Sequence, residues 1–183
     1  DLLPDLIEDV QDIVKTFEWR YDIKETHFPP DSFGKPAYND KIYGINFTPP
    51  ESETVSICFL SNGRMSSLPY LKFFGKTETQ KEREYLYMLS LKTQFAGIEV
   101  HKKVMHLFKY ISEKYLTDFK LSDEGLYWGE WDEQKLIDKF KEYTQLLDNF
   151  GILIECTPIS KGEDIADYME KLIEKMRKKP KEE

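Results

Sequence analysis

The segment EYLYMLSLKTQFAGIEVHKKVMHLFKYISEKY, residues 84–115, contains the clearest change of hydrophobic period in the chain. From Tyr85 to Thr93 every second side chain is large or β-branched, which is typical of a strand with one buried face. After Gly97 the apolar residues recur at three and four positions as far as Tyr115, and this spacing predicts a long amphipathic helix. The segment therefore predicts a strand that leads directly into a helix.

Three further helices are predicted from the same spacing of apolar residues. They cover residues 3–17, the stretch from Asp132 to Gly151, and residues 162–177. Asp132 is a suitable N-cap, because its carboxylate can accept hydrogen bonds from the first backbone N–H groups of a helix. Glycine is the usual residue just beyond a helix, so Gly151 predicts where this helix ends.

Alternating apolar residues predict the strands in the rest of the chain. These strands cover residues 19–23, 43–47, 55–59 and 64–74, with shorter ones at 119–121 and 152–156. Asn62-Gly63 predicts a hairpin turn, because both residue types tolerate positive φ. Pro69 cannot donate to a ladder, so the strand over 64–74 is expected at an edge or with a bulge.

The predicted fold class is α+β, a mainly antiparallel twisted sheet with helices packed on one face. The sheet is expected to be a meander of four or five strands. The chain contains no internal repeat and no interdomain linker. We therefore expect a single domain over residues 1–177, followed by a frayed charged tail over 178–183.

The charge of the chain argues against one class of partner. The formal net charge is −8, whereas proteins that bind the phosphate backbone depend on Lys and Arg to displace counterions. Nucleic-acid binding through Arg64, Lys72, Lys76 and Lys81 is therefore the least favoured of the three functional hypotheses below.

The two cysteines and the apolar runs indicate the compartment. Cys58 lies within a predicted strand and Cys156 near the end of another, so both are expected to be buried free thiols in a reducing compartment. This favours a cytoplasmic location. No apolar run approaches the roughly 20 residues that a membrane helix requires, so no membrane partner is expected.

The motifs of common enzymes are missing from the sequence. It contains no Gly-x-Ser-x-Gly, His-Glu-x-x-His, Cys-x-x-Cys or Gly-x-Gly-x-x-Gly motif, so we predict no cofactor and no metal. Gly75-Lys76-Thr77 resembles the end of a phosphate-binding loop, but Tyr70 stands where that motif requires glycine. His101 and His106 are five positions apart, which places them about 140° apart around a helix, too far to chelate one ion by themselves.

Two groups of residues are candidate ligand-binding positions. The first group, Lys92, Gln94 and His101, gathers polar side chains where the predicted strand joins the helix. The second group lies between the predicted strand at 119–121 and Asp132, and consists of Tyr127, Trp128, Glu130 and Trp131. A solvated sheet face and a capped helix start with packed tryptophans are the alternative interpretations of these two groups.

Three functions remain open from the residues alone. The leading hypothesis is a non-catalytic binding or interaction protein that uses a sheet face or groove to hold a protein or small-molecule ligand. The alternative is a hydrolase that acts on a sugar-like ligand through Glu130 and a second carboxylate. The third hypothesis is nucleic-acid binding. The oligomeric state is not predicted.

Two short motifs and the order of elements point to a family. The turn Lys92-Thr93-Gln94-Phe95-Ala96-Gly97 and the segment Tyr127-Trp128-Gly129-Glu130 are similar to those of an uncharacterised bacterial protein family. The order helix, antiparallel meander, long helix resembles the TATA-box-binding-protein-like fold. This resemblance implies a curved sheet and assigns no site residues. The acidic charge and the single copy of the unit depart from the DNA-binding members of that fold.

Overall fold

In the computed structural model, which describes residues 2–33 and 35–178, the chain forms two structural units with the boundary after Ser122. The described residues contain a three-stranded antiparallel sheet and six helices, which confirms the α+β class. None of the described helices is long and apolar enough to span a membrane. The single domain over 1–177 stays a prediction, and the predicted tail lies, after residue 178, outside the described residues.

The elements follow one another in the order α1 (Leu3–Thr16), β1 (Arg20–Ile23), β2 (Tyr43–Thr48), β3 (Val55–Phe59), α2 (Leu68–Phe74), α3 (Gln80–Tyr85), α4 (Ile98–Tyr115), α5 (Glu133–Cys156) and α6 (Ile165–Lys178). The first seven elements belong to the first unit, and α5 and α6 belong to the second. The predicted helices at 3–17, after Gly97, after Asp132 and at 162–177 are confirmed, as are the first three predicted strands.

The sheet and α1 form the main core of the first unit. In the sheet, β2 lies between β1 and β3, with Tyr21 opposite Phe47 and Ile45 opposite Ile57. Helix α1 packs against β1 and β2, and its apolar stripe, which includes Val10 and Val14, is fully buried. The sheet is a meander as predicted, but it has three strands rather than four or five.

A second apolar cluster lies on the other face of β3, because successive side chains of a strand point in opposite directions. The members of this cluster are Ile42, Cys58, Leu60, Leu71 and Leu86. Partly buried aromatic side chains pack against it, among them Tyr38 and Tyr87. The cluster therefore joins α2 and the end of α3 to the face of the sheet opposite α1, and it supports the candidate site described below. The prediction that the helices pack on one face of the sheet is wrong in this respect.

The predicted strand over 64–74 is wrong. Only Met65 bridges to Phe59, after the Asn62-Gly63 turn, in which Gly63 has φ +83°. Ser67 then caps α2, its hydroxyl accepting a hydrogen bond from the N–H of Tyr70. Pro69 lies in the first turn of this helix, where its missing N–H costs nothing. The proline that we interpreted as a bulge is thus part of a helix start.

The predicted strand over 85–93 is also wrong. Helix α3 occupies Gln80–Tyr85, and no regular element follows it before Gly97. The alternation assigns Tyr85 to a buried face and Leu86 to a polar one, whereas Tyr85 is 39% exposed and Leu86 only 2%. The Gln, Lys, Glu and Arg residues of α3 favour helix over strand, which accounts for Tyr85. Residues 86–93 pair with no strand.

The shorter predicted strands at 119–121 and 152–156 are absent from the described residues. Phe119 instead stacks on Phe108, with ring centres 5.9 Å apart. Helix α5 continues through Gly151 to Cys156. Its apolar residues keep a period of 3.5 across the glycine, at positions 136, 140, 143, 147, 150 and 154. Leu136 before the glycine and Leu153 after it are buried, and this burial outweighs the roughly 1 kcal/mol by which a helical glycine is disfavoured.

Candidate functional site

A cleft of about 720 Å³ opens in the first unit beside the second apolar cluster. Four separate stretches of chain line it, namely the loop before β2, the turn that contains Asn62 and Arg64, the connection from α2 to α3, and the end of α3 with the residues just after it. Its floor includes Leu86 of the apolar cluster. The size falls within the range of roughly 300–1,000 Å³ that is usual for small-molecule sites.

The lining of this cleft is rich in positive charge, and we call it the basic cleft. Its four cationic residues are Lys35, Arg64, Lys76 and Arg83, and Glu78 is its single carboxylate. Four cations against one carboxylate give the lining a formal charge of +3, in a chain whose net charge is −8. An anion that enters the cleft would therefore meet an attractive local charge.

Arg64 is held in place from both its backbone and its side chain. The backbone N–H of Arg64 donates to Oδ1 of Asn62 at 3.1 Å, and its carbonyl accepts from the N–H of Leu60 at 2.9 Å. Its guanidinium carbon lies 3.4 Å from the centre of the Tyr87 ring. Stacking covers one face of the guanidinium and leaves its in-plane N–H groups able to donate to a ligand.

The connection between α2 and α3 is held by side chains on both sides of the cleft. Nε of Arg83 donates to the carbonyl of Thr77 at 3.0 Å, and the hydroxyl of Thr77 bonds the carboxylate of Glu82. The hydroxyl of Tyr38 donates to the carbonyl of Gly75 at 2.9 Å. Burial raises the pKa of Tyr38, so this phenol stays neutral and acts as a donor at physiological pH.

Gly75-Lys76-Thr77 does not form a phosphate-binding loop. Such a loop precedes a helix, so that backbone N–H groups at the helix start face the phosphate. Here Gly75 caps the end of α2, with φ −65°, and the carbonyl of this cap accepts from Tyr38. Lys76 contributes to the basic cleft through its charge alone.

The first predicted group lies outside the basic cleft. Lys92 and Gln94 are exposed, whereas His101 is only 4% exposed. Nδ1 of His101 lies 2.7 Å from the hydroxyl of Thr93, which is also buried. The backbone of Lys92 pairs with Glu53 in the loop between β2 and β3, donating to Oε2 at 2.9 Å. The structure thus places Lys92 and Gln94 at the surface and buries His101 against Thr93.

The second predicted group belongs to the second unit and surrounds the start of α5. Asp123 accepts hydrogen bonds from the N–H groups of Gly125, Tyr127 and Trp128. Tyr127 is buried, and its ring meets that of Trp131 edge to face at 5.2 Å. Trp128 lies 5.6 Å from Trp131. These contacts match the interpretation of a capped turn with packed aromatic side chains.

Asp132 and Glu130 each have a structural partner. Asp132 caps α5 by accepting from the N–H groups of Gln134 and Lys135, as the sequence predicts. Glu130 is exposed and bonds the ammonium group of Lys135. The described residues contain no group of three His, Cys, Asp or Glu side chains that could hold a metal ion.

A polar cluster that sequence reasoning missed joins α1 to α4. Oδ2 of Asp9 accepts from the hydroxyl of Tyr110 and from the ammonium group of Lys114, each at 2.6 Å, and from the hydroxyl of Tyr115. We call these four residues the Asp9 cluster. The hydrogen bond from Lys114 to Asp9 raises the pKa of Lys114. The pKa of Tyr115 is raised first by burial and then by its own hydrogen bond to Asp9. The cluster therefore suits a structural contact better than a nucleophile or a base.

Sequence reasoning also missed the basic cleft as a site. It named Arg64 and Lys76, but as part of a nucleic-acid surface together with Lys72 and Lys81, neither of which lines the cleft. The available signal was an Asn-Gly turn followed at once by arginine. That signal could not show which other cations the fold brings to the same place.

No family model, no curated protein and no solved structure matches the chain. The resemblance to the TATA-box-binding-protein-like fold and its bacterial family stays a prediction from the two short motifs.

Proposed function

We propose that the chain is a non-catalytic binding protein that holds a small ligand in the basic cleft. The observation that carries the proposal is the cleft of about 720 Å³, lined by four cations and by tyrosines, in which hydrogen bonds or stacking hold Arg64, Arg83 and Tyr38 in place. Positioned side chains reduce the conformational entropy that is lost when a ligand binds. This proposal keeps the ligand-binding part of the leading hypothesis and moves the site from a sheet face to the basic cleft.

The chemistry of the lining supports binding rather than catalysis. General acid–base catalysis works best with groups whose pKa lies near the operating pH. The lining offers lysines and arginines, which are ordinarily charged at neutral pH, and Tyr38, whose pKa is raised by burial. Such groups can orient and neutralise an anion without exchanging protons.

The hydrolase alternative receives no support from the position of its carboxylates. Glu130 bonds Lys135, and Asp132 caps a helix, so each is used by a neighbour in the chain. An acid catalyst of this type needs an environment that raises its pKa, such as an apolar pocket. Glu130 is exposed to solvent.

The predictions about location, family, sheet curvature and the first two groups of site residues do not concern the basic cleft. A cytoplasmic location, the bacterial family resemblance and a TATA-box-binding-protein-like curvature of the sheet stay predictions. Lys92, Gln94, His101 and the Tyr127 to Trp131 segment stay a predicted binding surface. The basic cleft supports none of these and depends on none of them.

Native mass spectrometry tests the proposal directly. We expect the purified protein to carry a small molecule that is lost under denaturing conditions. Glu78 lines the cleft and Glu84 does not, while both are exposed, so Glu78→Trp and Glu84→Trp make the same change inside and outside the cleft. Glu78→Trp should lower the occupancy, and Glu84→Trp should leave it unchanged.

Two results would contradict the proposal. The first is a bound molecule whose occupancy falls equally in both tryptophan variants, which would place the ligand elsewhere. The second is a protein that carries no molecule and takes up none when it is incubated with a mixed small-molecule library. A thermal unfolding curve of each variant checks that the substitution leaves the fold intact.

A further inference from the structure

We infer that the ligand of the basic cleft is a small organic phosphate that carries at least two negative charges. This inference rests on the proposed function and names the chemical class of its ligand. The starting point is the local charge of +3, from four cations and one carboxylate, in a chain with a net charge of −8. A ligand with two negative charges neutralises most of this local excess.

The cations of the cleft are not neutralised by the protein itself. Within residues 2–33 and 35–178, ion pairs at 4.0 Å or less engage other lysines, and none includes any of the four cleft cations. In the same unit, by contrast, Lys24 pairs with Asp22 and Lys41 pairs with Glu25. Ion pairing within the described residues therefore leaves the charge of +3 in the lining available to an external anion.

The two arginines give the cleft a preference for phosphate. A guanidinium presents a planar fork of N–H donors that matches the oxygens of phosphate or carboxylate in pairs. Arg64 is stacked on Tyr87, and Arg83 uses Nε to bond Thr77, which leaves the terminal N–H groups of both side chains for a ligand. Lys76 and Lys35 add point charges that suit the further oxygens of a phosphate.

The size and the rings of the cleft favour a small organic ligand over a nucleic-acid strand. A strand would extend along a positive surface and use many phosphate contacts. Lys72 and Lys81, which complete the predicted nucleic-acid surface, lie outside the lining. Tyr38 and Tyr87 line the cleft and offer apolar surface to the carbon part of a compact ligand.

Isothermal titration calorimetry with defined probes tests the inference. Phenyl phosphate supplies a dianion on a ring, inorganic pyrophosphate supplies charge without a ring, and benzyl alcohol supplies a ring without charge. We expect the two phosphates to bind and benzyl alcohol not to bind. Arg64→Gln and Lys76→Gln should each weaken phosphate binding about tenfold, or about 1.4 kcal/mol, because each removes a charge-assisted hydrogen bond.

Lys72→Gln and Lys81→Gln are the matched controls, because they remove the same charge from the same region without touching the lining. Phosphate affinity should change by less than about twofold in both, since exposed charges beyond the site are screened by salt. Lys76 is exposed and Lys76→Gln should fold normally, so the test does not depend on Arg64→Gln, which also loses the stack on Tyr87.

The pH dependence gives a second readout. The second ionisation of a phosphate ester has a pKa of about 6, whereas lysine and arginine stay protonated well above that value. The affinity for phenyl phosphate should therefore fall as pH drops from 7 to 5. Benzoate, a carboxylate that keeps its single charge over this range, should bind more weakly and show no such fall.

Each contrary result has its own meaning. Benzyl alcohol or benzoate binding as tightly as phenyl phosphate would overturn the phosphate inference and leave the cleft as the binding site. Failure of every probe, with no molecule seen by native mass spectrometry, would overturn the proposed function as well. Tight binding of a single-stranded oligonucleotide that weakens equally in all four glutamine variants would replace the small phosphate by nucleic acid.

Discussion

The carboxylate of Asp9 and the ammonium group of Lys114, 105 positions apart in the chain, form an ion pair at 2.6 Å between α1 and α4. Two tyrosine hydroxyls, from Tyr110 and Tyr115, donate to the same oxygen. The hydrogen bonds from Lys114 and then from the tyrosines lower the pKa of Asp9 from 3.8 to about 2. This contact stabilises the packing of two helices that local sequence cannot bring together.

Asp9→Asn should reduce the free energy of unfolding by about 1 kcal/mol at pH 7, a value set low because the cluster is partly solvated. The pKa of Asp9 is lower in the folded state, so its contribution is complete above about pH 4. It disappears as pH falls towards 2. Urea unfolding at pH 7, 4 and 2.5 should therefore show the native protein and the variant converging at low pH.

Glu113→Gln is the control on the same helix. It breaks the exposed pair between Lys109 and Glu113, four positions apart, and should cost only about 0.3–0.5 kcal/mol. An Asp9→Asn effect no larger than that of Glu113→Gln would show that the Asp9 cluster adds nothing beyond an ordinary surface ion pair. A difference between Asp9→Asn and the native protein that persists unchanged at pH 2.5 would contradict the lowered pKa.

The sequence predicts the elements whose apolar period extends over many turns or is bounded by clear signals. Helix α1 and helix α4 have long stripes, and Asp132 caps α5 as expected. The errors concern short segments in which one signal has two meanings. Pro69 suits both an edge strand and a helix start, and the deciding residue is the N-cap Ser67 before it.

The basic cleft could not be predicted from the sequence for a different reason. Its cations come from four stretches that are separated in the chain, and their convergence depends on the packing of α2 and Leu86 against the far face of β3. No local pattern encodes that packing. Buried polar pairs such as Thr93 and His101 are hidden in the same way, because sequence gives residue types and not the direction of a side chain.

Gly151→Ala should stabilise the second unit by about 0.5–1 kcal/mol. Gly151 lies inside α5, and a Cβ added there would meet no atom within 4 Å. Alanine in a helix interior loses less backbone entropy than glycine and therefore favours the folded state. Urea unfolding followed by circular dichroism at 222 nm measures the change, which distinguishes a continuous helix from the wrongly predicted end at Gly151.

Gly162→Ala is the matched control in the same unit. Its Cβ would also meet nothing within 4 Å, but φ at Gly162 is +86°, a conformation that alanine adopts only with strain. This variant should lose about 1 kcal/mol or more. Equal effects of the same sign at both positions would show that the backbone at Gly151 is not helical.

Gly44→Ala should destabilise the first unit severely, by more than about 2–3 kcal/mol. Gly44 lies in the central strand with φ +124°, and its Cβ would approach the carbonyl oxygen of Ile57 to 2.3 Å. Both backbone strain and a clash with a hydrogen-bonded neighbour oppose the substitution.

Gly97→Ala is the control and carries strain alone, since φ is +82° and an added Cβ would meet nothing within 4 Å, so it should cost less stability. Thermal unfolding of the two variants gives the order, and a milder loss at Gly44 would mean that β2 shifts to accept the side chain.

The two cysteines should differ sharply in their reaction with iodoacetamide. Cys58 and Cys156 are both free thiols, but Cys58 is buried and Cys156 is exposed, so the expectation that both are buried is wrong for Cys156. Burial raises the pKa of Cys58 to about 12, and its thiol lies 3.3 Å from Oδ1 of Asn46. Because the thiolate is the reactive form, Cys58 should resist alkylation at pH 8 while Cys156 reacts.

Mass spectrometry of the alkylated protein measures this difference. The native chain should gain one label, at Cys156, and the chain in urea should gain a label at each of its two cysteines. Cys156→Ser leaves Cys58 as the single thiol, and labelling of this variant should proceed only as fast as the first unit opens. Rapid labelling of native Cys156→Ser, at a rate that urea does not increase, would place Cys58 at the surface and remove the second apolar cluster that supports the basic cleft.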